Sequence, residues 1–358
     1  MKRRVRLIAD KILWLYRRLD IYKEVNKTIN NYKRNGGEMI RLNSDEIKLI
    51  YNTYNSCGFS KHFSKKEINW FCSASGKFSN QYIPSYIFRR YIEPHLNNKE
   101  HVKAWADKSY YDLFLSDVNF PKTIVRNVDG VFYDEDYNLI SESEANRIVS
   151  EMRDCIIKPS IDSGSGNGVS LINVDTDVSL LLKKYKSNFV IQKRIIQHHI
   201  LSRLNHSSVN VVRIVSLMID NDIKILSSAL RIGTPGSITD NLITDDGKGM
   251  VVVGIEDDGT LKCEGCYANG IMTKESGTGY IFKGIHIPEY NEMINVVKKA
   301  HTKLGHFKMI SWDMCVDEQN NVIVMEYNIK AQGITYYQIT NGPLFGEYTD
   351  RILKDVFK

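Results

Sequence analysis

The sequence predicts an α+β protein whose N-terminal segment is α-rich, and three observations lead to this. From about residue 106 onward, short runs of β-branched residues alternate with amphipathic stretches, the pattern of antiparallel sheets flanked by helices. Residues 5–22 repeat apolar side chains at steps of three and four, which is typical of a helix. Residues 310–328 form two apolar runs around a turn. Other clear strand candidates are residues 155–158, 189–192, 209–218 and 223–232.

The composition is that of an ordinary globular protein. Its 358 residues are 42% hydrophobic and 25% charged, enough for one large or two modest cores. No stretch reaches the roughly 18 consecutive apolar residues of a membrane span, and the first turns carry too many charges for a signal peptide. We therefore expect the protein to be cytoplasmic. The six scattered cysteines fit reduced thiols, and Cys263-x-x-Cys266 lacks the second ligand pair of a zinc site.

The first predicted segment, residues 1–40, is a basic amphipathic helix that ends at Gly36-Gly37. Residues 1–39 contain eleven Lys or Arg and four Asp or Glu, a net charge of +7, so the rest of the chain carries a net charge of −1. A body without net positive charge argues against nucleic acid as the substrate. The helix has two interpretations. In the first, residues 1–36 contact an anionic membrane face or a partner such as a glycosyltransferase. In the second, the apolar stripe packs on the protein's own body.

The second segment, residues 41–105, is rich in aromatic side chains and is interrupted by Pro84 and Pro94. It contains no motif that we can interpret chemically, and we assign it as an N-terminal subdomain. Because it precedes the strand-rich part of the chain, it is a natural place for substrate selectivity.

A glycine-rich loop follows the strand that ends at Lys158. Gly164, Gly166 and Gly168 lie between that strand and the next apolar run. Closely spaced glycines let backbone N–H groups approach phosphate oxygens, and a lysine at the base of the loop adds positive charge. The order differs from a P-loop and from a dinucleotide-binding fingerprint, since the lysine precedes the glycines. The alternative is a hairpin tip without a ligand.

The C-terminal hairpin places two carboxylates opposite each other. With the turn centred between Gln319 and Asn320, Asp313 faces Glu326 across the strands. The strand period of two adds Asn328 on the same face. Two adjacent carboxylates repel unless a cation lies between them, and Mg²⁺ binds such a pair together with substrate phosphates. The hairpin therefore predicts a magnesium-nucleotide site, against the alternative of solvent-facing acids.

Taken in order along the chain, these motifs resemble the ATP-grasp superfamily. The series is Asp107-Lys108, Lys158-Pro with its loop to Val169, the segment 189–196, and Asp313 followed by Glu326-x-Asn328. Further motifs resemble the branch associated with sugar transfer and surface-polysaccharide gene clusters: Ser208-Val-Asn-Val-Val-Arg213, Ala229-Leu-Arg-Ile-Gly233, Asp240-Asn241 and Trp312-Asp313. The resemblance implies an ATP-grasp fold, in which two α+β lobes grip ATP between antiparallel sheets. The small lobe would span residues 106–190, and the large lobe with the metal site residues 191–358.

The resemblance also implies residue roles. Lys108 and Lys158 would contact the ATP phosphates under the closing glycine loop, and three further residues would line the adenine. The implied nucleotide-binding residues are Lys108, Lys158, Ser163, Gly164, Ser165, Gly166, Gly168 and Val169, with Gln192, Lys193 and Ile195 at the adenine. The implied ligands of one or two Mg²⁺ ions are Asp313, Glu326 and Asn328. Arg231 would meet the γ-phosphate or the acyl phosphate, and Arg213 and Asn241 would contact an anionic substrate.

The implied activity is that of a Mg-ATP-dependent carboxylate-amine ligase working through an acyl phosphate, with a sugar acid or an amino acid as substrate in capsule, exopolysaccharide or O-antigen synthesis. One alternative is a phosphotransferase that moves the γ-phosphate to a sugar hydroxyl. Another is a nucleotide-binding scaffold that recruits glycosyltransferases without turnover. Amine-dependent release of ADP separates the first two, and the complete set of oxygen ligands speaks against a scaffold.

Overall fold

A computed structural model describes residues 19–59, 63–161, 163, 164 and 166–357. Helices form the N-terminal segment, and two antiparallel sheets follow. The helices are α1 (19–34), α2 (Ser44–Ser56), α3 (Lys65–Ser75), α4 (Ser85–Ile87), α5 (Glu93–Leu96), α6 (Lys99–Trp105), α7 (Tyr111–Phe114), α8 (Glu142–Met152), α9 (Val178–Tyr185), α10 (His199–Ser202), α11 (Tyr290–Thr302), α12 (Thr335–Asn341) and α13 (Thr349–Asp355), with a π-helical turn at Phe88–Ile92 and 3₁₀ turns at Lys108–Tyr110 and Gly346–Tyr348. The strands are β1 (Thr123–Val128), β2 (Val131–Tyr133), β3 (Leu139–Ile140), β4 (Cys155–Pro159), β5 (Ser170–Ile172), β6 (Phe189–Lys193), β7 (Val211–Ile219), β8 (Asp222–Ile232), β9 (Val251–Ile255), β10 (Leu261–Tyr267), β11 (Met272–Thr273), β12 (Met309–Val316) and β13 (Val322–Asn328).

The N-terminal helices begin and end at residues that satisfy free backbone groups. Asn43 caps α2 by accepting from two backbone N–H groups, while the Glu46 side chain accepts from the backbone N–H of Asn43. Ser64 caps α3, which ends at Gly76 with a φ of 67° in the left-handed region. These local signals fix where the helices lie along the chain.

The apolar side of α1 packs into the protein's own core. Val25, Ile29 and Tyr32 are buried there together with side chains of α3. For residues 19–34 this favours the interpretation of a helix packed on its own body. Residues 1–18, which contain most of the predicted basic stripe, lie outside the described residues. Within the described ranges, we find no helix whose length and hydropathy would let it cross a membrane.

The smaller sheet has six antiparallel strands in the order β3-β2-β1-β6-β4-β5. Helices α8 and α9 pack against it around Val149, Leu182 and Phe189. The predicted lobe boundary between residues 190 and 191 falls inside β6, and all five β6 residues pair within this sheet. Lys158 of β4 pairs with Val190 of β6, so the base of the glycine loop is held by the sheet.

The larger sheet has seven antiparallel strands in the order β11-β10-β9-β8-β7-β12-β13. Successive side chains on each strand alternate between its two faces. On one face Ile214, Leu230 and Trp312 pack against α11 in a fully buried cluster. This face is closed by apolar contacts.

The opposite face of the larger sheet is shared between a core and a polar region. Its buried apolar residues include Val215, Leu217, Ala229 and Met309, which contact the N-terminal helices together with α12 and α13. On the same strands, Arg213 lies two positions from Val215, Arg231 two positions from Ala229, and Asp313 four positions from Met309. The strand period of two therefore puts these charged side chains on the face that the N-terminal helices partly cover.

Candidate functional site

The C-terminal hairpin pairs the two predicted carboxylates. A β-bulge between Asp313 and Met314 sets this register, because next to the turn Val316 pairs with Val322, one residue away from the predicted register. Asp313 of β12 pairs with Glu326 of β13, and Ser311 pairs with Asn328. The Asn328 amide reaches across the strands and donates to Asp313 Oδ2 at 3.3 Å. The three candidate metal ligands thus share one region of the sheet.

Two arginines neutralise Asp313. Arg213 donates through Nε and one terminal nitrogen to the two carboxylate oxygens, both at 2.6 Å. Arg231 donates to Oδ2 at 3.3 Å and also binds Asp240 through Nε. Burial by itself disfavours the charged carboxylate, but the two guanidiniums outweigh it and lower the pKa of Asp313 to about 2. Asp313 is therefore ionised at neutral pH.

Two lysines lie beside Glu326 and the glycine loop. The buried Lys108 forms an ion pair with Glu326 Oε1 at 3.0 Å and donates to the Ser163 hydroxyl at 3.1 Å. Lys158 lies at the end of β4, where desolvation and the charge of Lys108 lower its pKa to about 8. Two neighbouring ammonium groups repel each other, so an anion between them would be stabilised.

This lowered pKa predicts how nucleotide binding depends on pH. Above about pH 8 the unbound site loses the charge of Lys158, whereas bound phosphates favour the ammonium, so binding takes up a proton there. We expect the affinity for ADP to fall by up to about tenfold per pH unit between about pH 8 and pH 9.5. Calorimetric titrations across this range measure it. Lys158→Arg, which stays charged, should remove the slope, and a flat profile for the unmodified protein would contradict the prediction.

The glycine loop packs against the segment 233–250, which connects β8 to β9 and also lines the cavity. Gly166 has a φ of 68°, and a Cβ atom there would lie 2.8 Å from Asn241 Oδ1 and 2.9 Å from the Thr239 methyl group. Gly168, with a φ of 73°, approaches a Pro159 ring carbon in the same way. A side chain at either position would be strained and would push the loops apart. Ser165 lies outside the described residues.

Two of the predicted adenine residues, Gln192 and Lys193, are the last two residues of β6 in the smaller sheet. The buried Gln192 side chain donates to the Thr123 hydroxyl at 2.9 Å, and the Lys193 backbone N–H donates to the Lys122 carbonyl at 2.9 Å. Ile195 follows in the segment that leads to the larger sheet. This connection lies between the two sheets, the position expected of a hinge.

One cavity of about 850 Å³ connects these elements. Apart from Gly168, every predicted site residue that the structure describes lines it. These residues are Lys108, Lys158, Ser163, Gly164, Gly166, Val169, Gln192, Lys193, Ile195, Arg213, Arg231, Asn241, Asp313, Glu326 and Asn328. Elements that are about 150 residues apart in the sequence therefore contribute to a single site.

Several residues at the site were not assigned a role from the sequence. Asp240 holds Arg231, and the Tyr337 ring lies 5.7 Å from the Arg213 guanidinium carbon. The N-terminal helices add Glu67 and Trp70 to the cavity wall. Asp240 belongs to a quoted motif, whereas no sequence pattern marks the helical residues, because their neighbours come from distant parts of the chain.

The oxygen ligands fit magnesium. Two carboxylates and an amide oxygen are hard donors, and each carboxylate oxygen has two lone pairs, so Asp313 can accept from an arginine and still bind a cation. Among the described residues, no three His, Cys, Asp or Glu side chains are grouped so that they could hold a metal ion. The candidate site therefore depends on Asn328 and on phosphate oxygens to complete the coordination.

Comparisons with known proteins add the family. The chain is similar to the solved structure of the N5-carboxyaminoimidazole synthase of Aspergillus clavatus in complex with ADP and 5-aminoimidazole ribonucleotide, with 8% identity, coverage of 68% of this chain and 51% of that chain, and a TM-score of 0.42. It is also similar to the ATP-grasp ligase PsnB complexed with its minimal precursor, with 14% identity, coverage of 73% of this chain and 64% of that chain, and a TM-score of 0.41. A third similar structure is the L-amino acid ligase of Bacillus licheniformis, with 13% identity, coverage of 71% of this chain and 48% of that chain, and a TM-score of 0.40. This chain spans between about half and two thirds of their lengths. No curated protein matches the chain.

A family model described as sugar-transfer associated ATP-grasp matches residues 86–352. The match covers 267 of the 358 residues and confirms the family that the motifs predicted. The two antiparallel sheets with flanking helices are in agreement with the predicted α+β architecture. The chain belongs to the sugar-transfer associated ATP-grasp family and has the ATP-grasp fold.

Proposed function

We propose that this protein is a Mg-ATP-dependent ligase that joins a carboxylate to an amine. The proposal is carried by the position of Asp313, Glu326 and Asn328 beside Lys108 and Lys158 in one cavity. Hard oxygen ligands next to cationic side chains suit magnesium and nucleotide phosphates. The proposed substrate is a sugar acid or an amino acid in bacterial surface-polysaccharide synthesis, for which the description of the family is the support.

In the proposed reaction, a carboxylate oxygen of the substrate attacks the γ-phosphorus in line. The bond between that phosphorus and the ADP oxygen breaks, which gives an acyl phosphate. Lys108 and Lys158 offset the charge on the transferred phosphoryl group. Bound magnesium would supply further charge neutralisation at Asp313 and Glu326.

The second step forms the amide. An amine attacks the acyl carbon, phosphate leaves with the bonding electrons, and the nitrogen loses a proton. Water competes with the amine at this stage, so the site has to exclude it. The glycine loop supports this role, since Gly166 packs against Thr239 and Asn241 and all three residues line the cavity.

The arginines are proposed to hold the anionic groups of the substrate. Arg213 and Arg231 both contact Asp313, which orients their guanidiniums before any substrate binds. In the described part of the chain, one terminal nitrogen of Arg231, Nη1, reaches only the Tyr337 hydroxyl at 3.5 Å. That long contact leaves its hydrogen-bonding capacity for an acyl phosphate. Asn241 would contact the substrate from the segment 233–250.

The test is ADP release by the purified protein with Mg-ATP. A panel of uronic acids and amino acids is supplied, each with and without amines, and hydroxylamine is added to trap an acyl phosphate as a hydroxamate. We expect ADP release that needs both a carboxylate and an amine, and hydroxamate with the active carboxylate. ADP release with a neutral sugar, without hydroxamate, would favour the phosphotransferase and contradict the ligase.

Cellular location is part of the proposal. We propose that the protein works in the cytoplasm and that residues 1–36 make a peripheral contact with the membrane or with a glycosyltransferase. Because α1 packs into the core, a chain that lacks residues 1–18 is the suitable variant. Unchanged fractionation of that variant would remove the peripheral contact from the proposal.

A further inference from the structure

The cavity has a second end, which the N-terminal helices form. Its wall there contains Glu24 of α1, Glu67 and Trp70 of α3, Ser85 and Arg89. All of them except Arg89 precede residue 86, where the match to the family model begins. This end is therefore built mainly by a part of the chain that the family model does not describe.

Glu67 is a buried carboxylate with a free acceptor atom. Its side chain is 1% exposed, and Oε1 accepts from the Ser85 hydroxyl at 2.6 Å and from the Ser85 backbone N–H at 3.0 Å. No donor in the described residues binds Oε2, and none of their basic side chains pairs with Glu67. A buried carboxylate without a cation is costly unless a ligand completes it.

Two neighbouring side chains add to the polar character of this end. Arg89 binds Glu24 through both terminal nitrogens, at 2.6 and 2.8 Å, so its charge is already paired. The Nε1–H of Trp70 is buried and has no hydrogen-bond partner among the described residues. This end thus holds two carboxylates against one guanidinium, and this excess of negative charge favours a ligand with positive charge.

The two ends of the cavity differ in charge. At the phosphate end, the four basic side chains of Lys108, Lys158, Arg213 and Arg231 lie with the three carboxylates of Asp240, Asp313 and Glu326, a formal net charge of +1. At the helical end, Arg89 lies with the two carboxylates of Glu24 and Glu67, a formal net charge of −1. Complementary potentials separate ligands of opposite sign, so an anionic substrate fits the first end and a cationic one the second.

We propose that the helical end of the cavity is the subsite for the amine substrate and that Glu67 Oε2 accepts a hydrogen bond from its ammonium group. This inference rests on the proposed ligase function and adds the location, charge and binding residue of the second substrate. The Trp70 and Tyr336 side chains, which also line this end, would contact the apolar body of the amine.

Glu67 also predicts the pH dependence of amine binding. Desolvation raises its pKa to about 7, and the groups that act on it from the surrounding helices are Glu24, Arg89 and Tyr54. The carboxylate form, which an ammonium group needs, becomes populated as the pH rises through 7. A primary alkylamine stays protonated in this range. Its affinity should therefore increase between about pH 6 and pH 8.

The experiment compares two probes that differ in one terminal group. The full chain, saturated with Mg-ADP, is titrated with 5-amino-1-pentanol and with 1,5-pentanediol by calorimetry. We expect the amine to bind at least about tenfold more tightly than the diol at pH 8, with this preference shrinking at pH 6. Glu67→Gln, which keeps the shape of the side chain, should reduce the preference to less than about threefold. Glu38→Gln removes the same charge from an exposed position outside the cavity and should leave it unchanged.

The outcomes separate this inference from the ligase proposal. Equal affinities for amine and diol in the unmodified protein, or no binding of either probe, would overturn the amine subsite even if Mg-ADP binds normally. The pH arm needs no variant, so it decides the question if Glu67→Gln fails to fold. Failure of Mg-ADP to bind would instead contradict the nucleotide site on which the proposed function depends.

Discussion

Glu326→Gln is expected to lower Mg-ATP-dependent ADP release by about 10²–10³-fold while the fold is kept. The substitution removes the negative charge that faces Asp313 across the hairpin and that pairs with Lys108. Glutamine keeps the shape of the side chain, and 30% of the Glu326 side chain is exposed, so the loss of packing is small. Steady-state ADP release across magnesium concentrations, beside thermal unfolding of the same sample, measures both effects.

The matched control for this variant lies on the same hairpin. Glu318→Gln removes one charge at the exposed turn, eight positions from Glu326 and outside the cavity. Its activity should stay within about twofold of the unmodified protein. If Glu326→Gln retained activity within about threefold at every magnesium concentration, the assignment of Glu326 as a metal ligand would be wrong.

Arg213→Ala is expected to destabilise the protein by about 3–5 kcal/mol. The substitution leaves the buried carboxylate of Asp313 with only the longer contacts from Arg231 and the Asn328 amide, both at 3.3 Å. A buried charge that loses its partner keeps its desolvation cost and loses the attraction that offset it. Urea unfolding of the variant and of the unmodified protein measures the difference in the free energy of unfolding. The comparison requires that this free energy depends on urea concentration with the same slope in both proteins.

An exposed ion pair provides the comparison for this effect. Arg194 pairs with Asp154 at 3.2 Å, and both side chains are about half exposed. Arg194→Ala should therefore cost less than about 1 kcal/mol, since water screens exposed pairs. A loss below about 1 kcal/mol for Arg213→Ala as well would show that Asp313 does not depend on the arginine for its burial.

Local sequence patterns predicted the strands and the pairing of the two hairpin carboxylates well. The expected strand at residues 155–158 is Cys155–Pro159, and the one at 223–232 is Asp222–Ile232. The predicted pair of Asp313 and Glu326 is present, but a turn centred between Gln319 and Asn320 would pair Val316 with Ile323. Val316 pairs instead with Val322, and a β-bulge after Asp313 restores the predicted register. Where the neighbours of a residue are close in sequence, the pattern contains the information needed to place it.

The two arginines show what local sequence patterns do not predict. From the sequence, Arg213 and Arg231 were assigned to substrate and phosphate, and their contact with Asp313 was not foreseen. Asp313 and Arg213 are 100 residues apart and meet because β7 and β12 pair in the larger sheet. The charge balance of the site therefore depends on strand order, which a single sequence does not display.

By itself, the sequence determined the glycine loop and the hairpin with its candidate oxygen ligands, because each of these depends on residues within one short segment, while the order of the motifs along the chain determined the α+β class and the family. The tertiary structure alone decided that the arginines neutralise Asp313 and that Glu67, Trp70 and Arg89 form the far end of the cavity. These features depend on which face of the larger sheet the N-terminal helices cover, and that is settled by burial of apolar surface between segments far apart in the chain.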